Sequence, residues 1–272
     1  MDTELASIAR DTAPDAEMES RLVSALARGV AVLRAFTPGR PELSLKELAL
    51  VTGLPKPTLV RLVDTLCELG LLRYSERLSR YVPGLGMLTL GAPALARMTV
   101  RQVARPLMQA LADHIRGQVA LIAGYRHTLT YVEIVHGAQS VLFRPEVGGN
   151  ISLSRTASGR AYLLSLPAQA REAYLLQGLR DSDGSRRPWL EARLAQAERD
   201  MAEHGVCRSH GDLHREIETV SVPFRAPVDG EFWTLAASVG KFNLQGDELL
   251  QDIGPRAVTL VRTVETAMNI AP

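Results

Sequence analysis

Between Ser44 and Leu72 the apolar residues fall into two helical stripes separated by Gly53-Leu54-Pro55-Lys56-Pro57. Ser44 stands three residues before Glu47, so each can satisfy the other's backbone N–H, which predicts a helix starting at Leu45 and stopping at Gly53. Each proline pushes the residue before it toward extended geometry, yet Pro57 is tolerated in the first turn of a new helix. A second helix is therefore predicted to open near Lys56. Its stripe is Leu59, Leu62, Val63 and Leu66, leaving Lys56, Thr58, Arg61 and Thr65 on the polar side. Gly70 ends it, Leu71 to Tyr74 reads as a strand, and Tyr81-Val82 supplies a second strand after the polar turn 75–80. Two short helices about a tight turn, followed by a hairpin, make a winged helix. Lys56, Thr58, Arg61 and Thr65 are groove-reading residue types, and Arg73, Arg77 and Arg80 fall on or beside the wing, where cations contact phosphates or enter the minor groove.

Elsewhere the pattern alternates between helical and strand periods. Val23, Leu26, Val30 and Leu33 predict a helix ended by the turn residues 37–41. Leu85, Leu88, Ala92 and Leu95 form a heptad-like seam that suits a linker helix packing on a partner subunit, with Pro93 either kinking it or beginning a second helix. Val103, Leu107, Leu111 and Ile115 mark another helix, in which Pro106 is a kink or first-turn residue. Strands are predicted at 119–123, 128–135, 141–143, 217–224 and 232–239, the last two joined by Asp229-Gly230. Helices are predicted at 156–166, 168–176 and 188–204, and mostly a closing helix over 244–268. The fold class is mixed α/β, an N-terminal winged helix and a C-terminal domain with a mainly antiparallel sheet. The expected divisions are a disordered acidic tail at 1–19, a DNA-binding domain at 20–83, a linker helix at 84–99 and an effector-binding and oligomerisation domain at 100–272.

Charge sharpens this division. The whole chain carries only +1, but residues 20–83 hold ten Lys or Arg against five acids while residues 1–19 hold six acids and one Arg. A basic module is masked by an acidic tail, and the nearly neutral remainder suits a small-molecule or protein-binding domain better than a second nucleic-acid surface. No membrane span is expected, since the charge-free stretch 81–96 is short and broken by glycine and proline, and no signal-peptide pattern opens the chain. Two cysteines, Cys67 and Cys207, are too few for a disulfide framework and are expected as reduced thiols of a cytoplasmic protein. His204, His210, Asp212 and His214 are metal-ligating types, but their spacing is irregular, so neither a metal site nor a cofactor is expected. Ser158 lacks a nucleophile elbow, and no phosphate-binding glycine motif or HExxH occurs, which argues against an enzyme. An effector-blind DNA-binding protein whose C-terminal domain only oligomerises stands as the alternative.

The run ALARGVAVLRAF followed by LSLKELALVTGLPKPTLVRLVDTLCELGLL resembles the N-terminal half of IclR-type transcriptional regulators. SLSRTASGRAYLLSL, residues 152–166, resembles their effector-domain signature, and the likeness extends from about Leu22 to Met268. The resemblance implies that the winged helix binds a palindromic double-stranded operator as a homodimer or dimer of dimers, and that a GAF-like domain binds a small effector, a carboxylate such as an organic or aromatic acid. It places Lys56, Thr58 and Arg61 toward DNA and Val60 where histidine is common. It lines the effector pocket with Arg155, Thr156, Ala157, Ser158 and Gly159, and with Thr219, Ser221 and Ser238 on the two late strands. Backbone N–H groups at a helix N-terminus give a physical reason for an anion there, with Arg155 and Arg144 as further carboxylate partners. Thr219 stands where relatives have cysteine, Gly240 where they have a second serine, and His210-Gly211-Asp212 where their preceding loop is acidic.

Overall fold

The computed structural model describes residues 23–125, 128–140, 142, 144–179 and 187–270, and the acidic segment 1–19 lies outside them. The chain separates into two compact units between Arg97 and Met98.

The first unit contains α1 (Ser24–Arg34), α2 (Leu45–Thr52), α3 (Lys56–Glu68), β1 (Leu72–Ser75), β2 (Arg80–Pro83) and α4 (Gly86–Arg97). The capping box forms as the Ser44/Glu47 spacing requires, and Gly53 closes α2 at φ +65°, a left-handed turn that favours glycine. Val32, Leu43, Leu48, Leu59, Val63 and Leu72 make the core. Leu43 pairs with Tyr81 through both backbone bonds, giving the wing a third extended segment. The α1 stripe differs from the predicted one. Val32 and Ala35 are buried whereas Val23 and Leu26 are exposed, because only the last turn of α1 reaches the core. Helix α4 runs through Pro93 in one piece and buries no residue.

The second unit is built from α5 (Thr99–Ile115), β3 (Gln118–Tyr125), β4 (Thr128–His136), β5 (Asn150–Ile151), α6 (Ala157–Ser165), α7 (Ala168–Leu179), α8 (Arg187–His204), β6 (Cys207–His210), β7 (Ile217–Pro223), β8 (Trp233–Gly240) and α9 (Gly254–Ala267). The antiparallel sheet runs β5-β4-β3-β8-β7-β6. Ala120, Ile122 and Ala236 pack with Tyr162 and Leu163 of α6. Strand alternation turns Val119, Leu121 and Leu235 to the other side, where α5 and α9 run, which explains why every residue of β8 is buried. Glu133, almost fully buried, is neutralised by Arg101 at 2.5 Å and by Arg105.

The sheet differs from expectation in two places. Leu142 lies in a bend rather than a strand, while Val141 and Phe143 lie outside the described residues. The edge strands β5 and β6 are too short to show a period of two. The closing segment is mostly helix, as expected: it follows a 3-10 turn at Lys241–Asn243, opens as a π-helical turn at Leu249–Ile253 and continues as α9, whose start coincides with Gly254-Pro255.

Candidate DNA interface and effector site

Because Leu59, Val63 and Leu66 anchor α3, its opposite side is fixed outward. Lys56, Arg61 and Thr65 are exposed there, and Thr58 and Val60 are half-buried. The Thr65 hydroxyl donates to the Arg61 carbonyl at 2.8 Å, so its lone pairs alone stay outward. Arg73 and Arg77 are exposed on the wing, and Tyr74 packs edge-on against Tyr81 with ring centroids 5.1 Å apart. Arg80 behaves differently from its expected role. Its Nη1 lies 2.5 Å from Glu47 Oε2, the atom that also accepts from Ser44 N–H at 2.8 Å and Ser44 Oγ at 2.6 Å. Hydrogen bonds from Ser44, reinforced by Arg80, hold the Glu47 carboxyl below its ordinary range. Arg80 thus ties the wing to α2, its charge met by Glu47 instead of being left for phosphate.

In the second unit the registers of four strand pairs place His136, Gln118, Ser238, Thr219 and Ser209 in one transverse row across β4, β3, β8, β7 and β6. Directly opposed residues of an antiparallel sheet share a face, and this is the face that α6 covers. Thr219 and Ser238 hydroxyls meet at 2.9 Å. Gln118 Oε1 and His136 Nδ1 are buried and meet no hydrogen-bond partner among the described residues. Burial, with Arg144 nearby, lowers the His136 pKa and keeps the imidazole neutral near pH 7. Ser221, by contrast, is fully buried and its hydroxyl is spent on the Leu235 carbonyl at 2.9 Å.

The start of α6 lies on the same side. Thr156 caps it by accepting Gly159 N–H at 3.0 Å while donating to the Ser152 carbonyl at 2.8 Å. That leaves the Ala157 and Ser158 N–H groups as the orphan donors of the first turn. Gly159 is small for a packing reason, since a Cβ there would fall 1.8 Å from the Leu153 carbonyl oxygen. Arg155 is exposed and reaches the Asp212 carbonyl at 3.5 Å, and Arg144 is exposed.

The sequence did not single out the groups that surround Asp212. Arg160, 2% exposed, donates from Nη2 to Asp212 Oδ2 at 2.9 Å and to the Arg208 carbonyl at 2.8 Å. Arg193 meets the other Asp212 oxygen at 2.8 Å, and Ser209 Oγ donates at 3.2 Å. The signal was present, because Arg160 sits one turn after Ala157 on the buried stripe of a short helix, where a cation requires a partner. The residues of metal-ligating type go to separate partners: His210 Nδ1 to Glu218 at 2.5 Å, Asp212 to two arginines, and His204 to Glu203 at 3.6 Å. Burial pushes the Cys207 thiol up to about 12, and Cys67 is half-buried and free of any disulfide. Among the described residues no helix is long and apolar enough to cross a membrane.

A family model described as "IclR helix-turn-helix domain" matches residues 25–76, and one described as "Bacterial transcriptional regulator IclR C-terminal" matches residues 92–256. The HTH-type transcriptional regulator TsaQ1/TsaQ2 of Comamonas testosteroni is 29% identical over 265 residues, covering 95% of this chain and 94% of that protein. Among solved structures, the IclR family transcriptional regulator from Brucella abortus is similar with a TM-score of 0.82 and 35% identity, covering 96% of this chain and 97% of the other. An IclR homolog from Microbacterium hydrocarbonoxydans, complexed with 4-hydroxybenzoate, shares the fold with a TM-score of 0.71 at 22% identity, covering 91% and 100% of the two chains.

Proposed function

This chain belongs to the IclR family of ligand-responsive transcriptional regulators, and from that premise we propose that paired copies read an operator under the control of a small organic acid bound in the second unit. In this reading Arg61 contacts a base edge in the major groove, Lys56, Arg73 and Arg77 contact phosphates, and Thr58, Val60 and Thr65 line the groove. A single winged helix reads only a few base pairs, so two copies in fixed relation supply the specificity. The exposed Leu85, Leu88 and Leu90 of the α4 region are the proposed pairing surface. The protein is read as a cytoplasmic non-enzyme.

The observation that carries the effector reading is the transverse polar row, whose buried Gln118 Oε1 and His136 Nδ1 have no partner among the described residues. Buried polar atoms are normally paired, and a ligand hydroxyl would satisfy either atom. At the other end of the ligand, a carboxylate would take the Ala157 and Ser158 N–H groups and the Thr219/Ser238 hydroxyl pair. The same fold holds 4-hydroxybenzoate in the Microbacterium protein, which makes phenolic acids the first compounds to try. The effector acts by favouring one spacing of the two winged helices, so its effect on operator affinity equals the operator's effect on its own binding.

Fluorescence anisotropy with operator DNA from the chain's own promoter region, with and without each acid, is the test. A saturable change in operator affinity that Ser238→Ala weakens at least about tenfold, roughly 1.4 kcal/mol, supports the reading. Acids that bind without altering operator affinity would return the second unit to an oligomerisation role.

A further inference from the structure

The residues around Asp212 form a second polar site at the β6 edge, adjoining the end of the transverse row where Ser209 Oγ donates to Asp212. Arg208 and His210 alternate with Cys207 and Ser209 along β6, and from that edge strand the Arg208 guanidinium turns to Asp200 on α8. With Arg160, Arg193 and Gln196 they line an open cleft of about 210 Å³ between α8 and β6. Three guanidinium groups meet two carboxylates there. Arg160 and Arg193 hold Asp212, and Arg208 Nε holds Asp200 at 3.1 Å. His210 is engaged by Glu218, which also faces Lys241 at 3.4 Å. The cleft therefore carries an excess positive charge. Several donors are unspent: Arg160 Nη1 is buried without a partner among the described residues, and Arg193 and Arg208 are 40% and 29% exposed at the rim.

A guanidinium shielded from water and lacking a full set of acceptors is costly, and an oxyanion offers the planar pair of acceptors that its fork matches. We propose that this cleft is an oxyanion-binding site, distinct from the Thr219/Ser238 row, that takes the carboxylate or phosphate of a small ligand against Arg193 and Arg208 with Arg160 supplying charge from behind. One negative charge neutralises the excess, and the second N–H of the Gln196 amide, whose first donates to Asp200 at 2.8 Å, is a neutral donor for the ligand's remaining polar group.

Calorimetry on the full chain tests this at constant ionic strength, with inorganic phosphate in one arm and succinate in the other, chloride being the control. The expected result is saturable binding of one of the two below about 1 mM, weakened at least about tenfold by Arg193→Gln and by Arg208→Gln and unchanged by Ser238→Ala. Whichever arm saturates identifies the ligand head group as phosphate or carboxylate. Arg193→Gln removes a half-exposed side chain, so circular dichroism should show a folded protein even if Arg208→Gln is unstable. Binding lost in Ser238→Ala but kept in Arg193→Gln would place the anion in the row and overturn the cleft site while sparing the effector reading. No saturable binding of either probe at about 10 mM would overturn it as well.

Discussion

Removing the Asp212 charge should cost the second unit more than removing both Asp212 and the cation it holds. In Asp212→Asn the Arg160 guanidinium stays 2% exposed and loses the one counter-ion it has among the described residues, keeping the Arg208 carbonyl at 2.8 Å as a partner. Burial already pushes the Arg160 pKa down, opposed by Asp212, so the wild-type pair balances desolvation against attraction. An uncompensated buried charge costs about 3–5 kcal/mol. Arg160→Met should be milder, about 1–3 kcal/mol, because Asp212 keeps Arg193 at 2.8 Å and Ser209 at 3.2 Å. The Arg193 pair itself is 40% exposed and screened, so it adds little to either figure. The double variant Arg160→Met/Asp212→Asn leaves neither charge of this pair to desolvate and should be more stable than Asp212→Asn alone. Urea denaturation followed by tryptophan fluorescence reads this unit specifically, since the chain's two tryptophans are Trp189 and Trp233, both after Met98. Strictly additive single and double effects, or a double variant less stable than Asp212→Asn, would refute the view that Arg160 and Asp212 stabilise each other as a buried pair.

Arg61→Ala is expected to weaken operator binding and relax base preference by about 1–3 kcal/mol, whereas Lys56→Ala should weaken operator and random DNA alike and reduce the salt slope; titrations at several salt concentrations separate the two. The depressed Glu47 pKa stabilises the winged helix fully above its ordinary value of 4.5, and that contribution should be lost as pH falls through the lower folded value. Glu47→Gln should flatten this acid limb in pH-dependent melts of the full chain. Leu88→Glu, at a side chain 70% exposed in a helix that buries nothing, should leave the fold intact while sedimentation shows a lower dimer fraction.

The elements most legible in the sequence are those whose signals are local. Ser44/Glu47 capping, Gly53 in a left-handed turn and proline in the first turn of α3 all operate within four residues, and all form. The α1 stripe is only partly legible for the opposite reason. Val23 and Leu26 have the right spacing, but which turn of a helix touches the core depends on where α2 and α3 lie, and it is Val32, Leu33, Ala35 and Phe36 at its C-terminal end that reach them. The edge strands were lost to length. Two residues at β5 and four at β6 cannot display alternation, and their pairing with β4 and β7 is a tertiary fact.

The candidate effector site divides along the same line. The Ser-Arg-Thr-Ala-Ser-Gly run is recognisable as a helix start, but its small residues serve packing before any ligand: Gly159 lies against Leu153, and Ala157 and Ala161 pack with Ala197 and Cys207. In the proposed site that run offers a ligand only backbone, the Ala157 and Ser158 N–H groups. The side chains that could complete a site come from elsewhere. Gln118 and His136 are the first and last residues of the β3–β4 hairpin, and they share a row with Ser238 and Thr219 only because three antiparallel registers align, with the bulge between Leu121 and Ile122 sparing this end of the strands. A one-residue slip in any of those pairs would turn the row's members to different faces. Polar residues on a buried sheet face thus carry their meaning in the register, and the proposed effector site rests on Gln118 Oε1 and His136 Nδ1, which that register leaves without partners among the described residues.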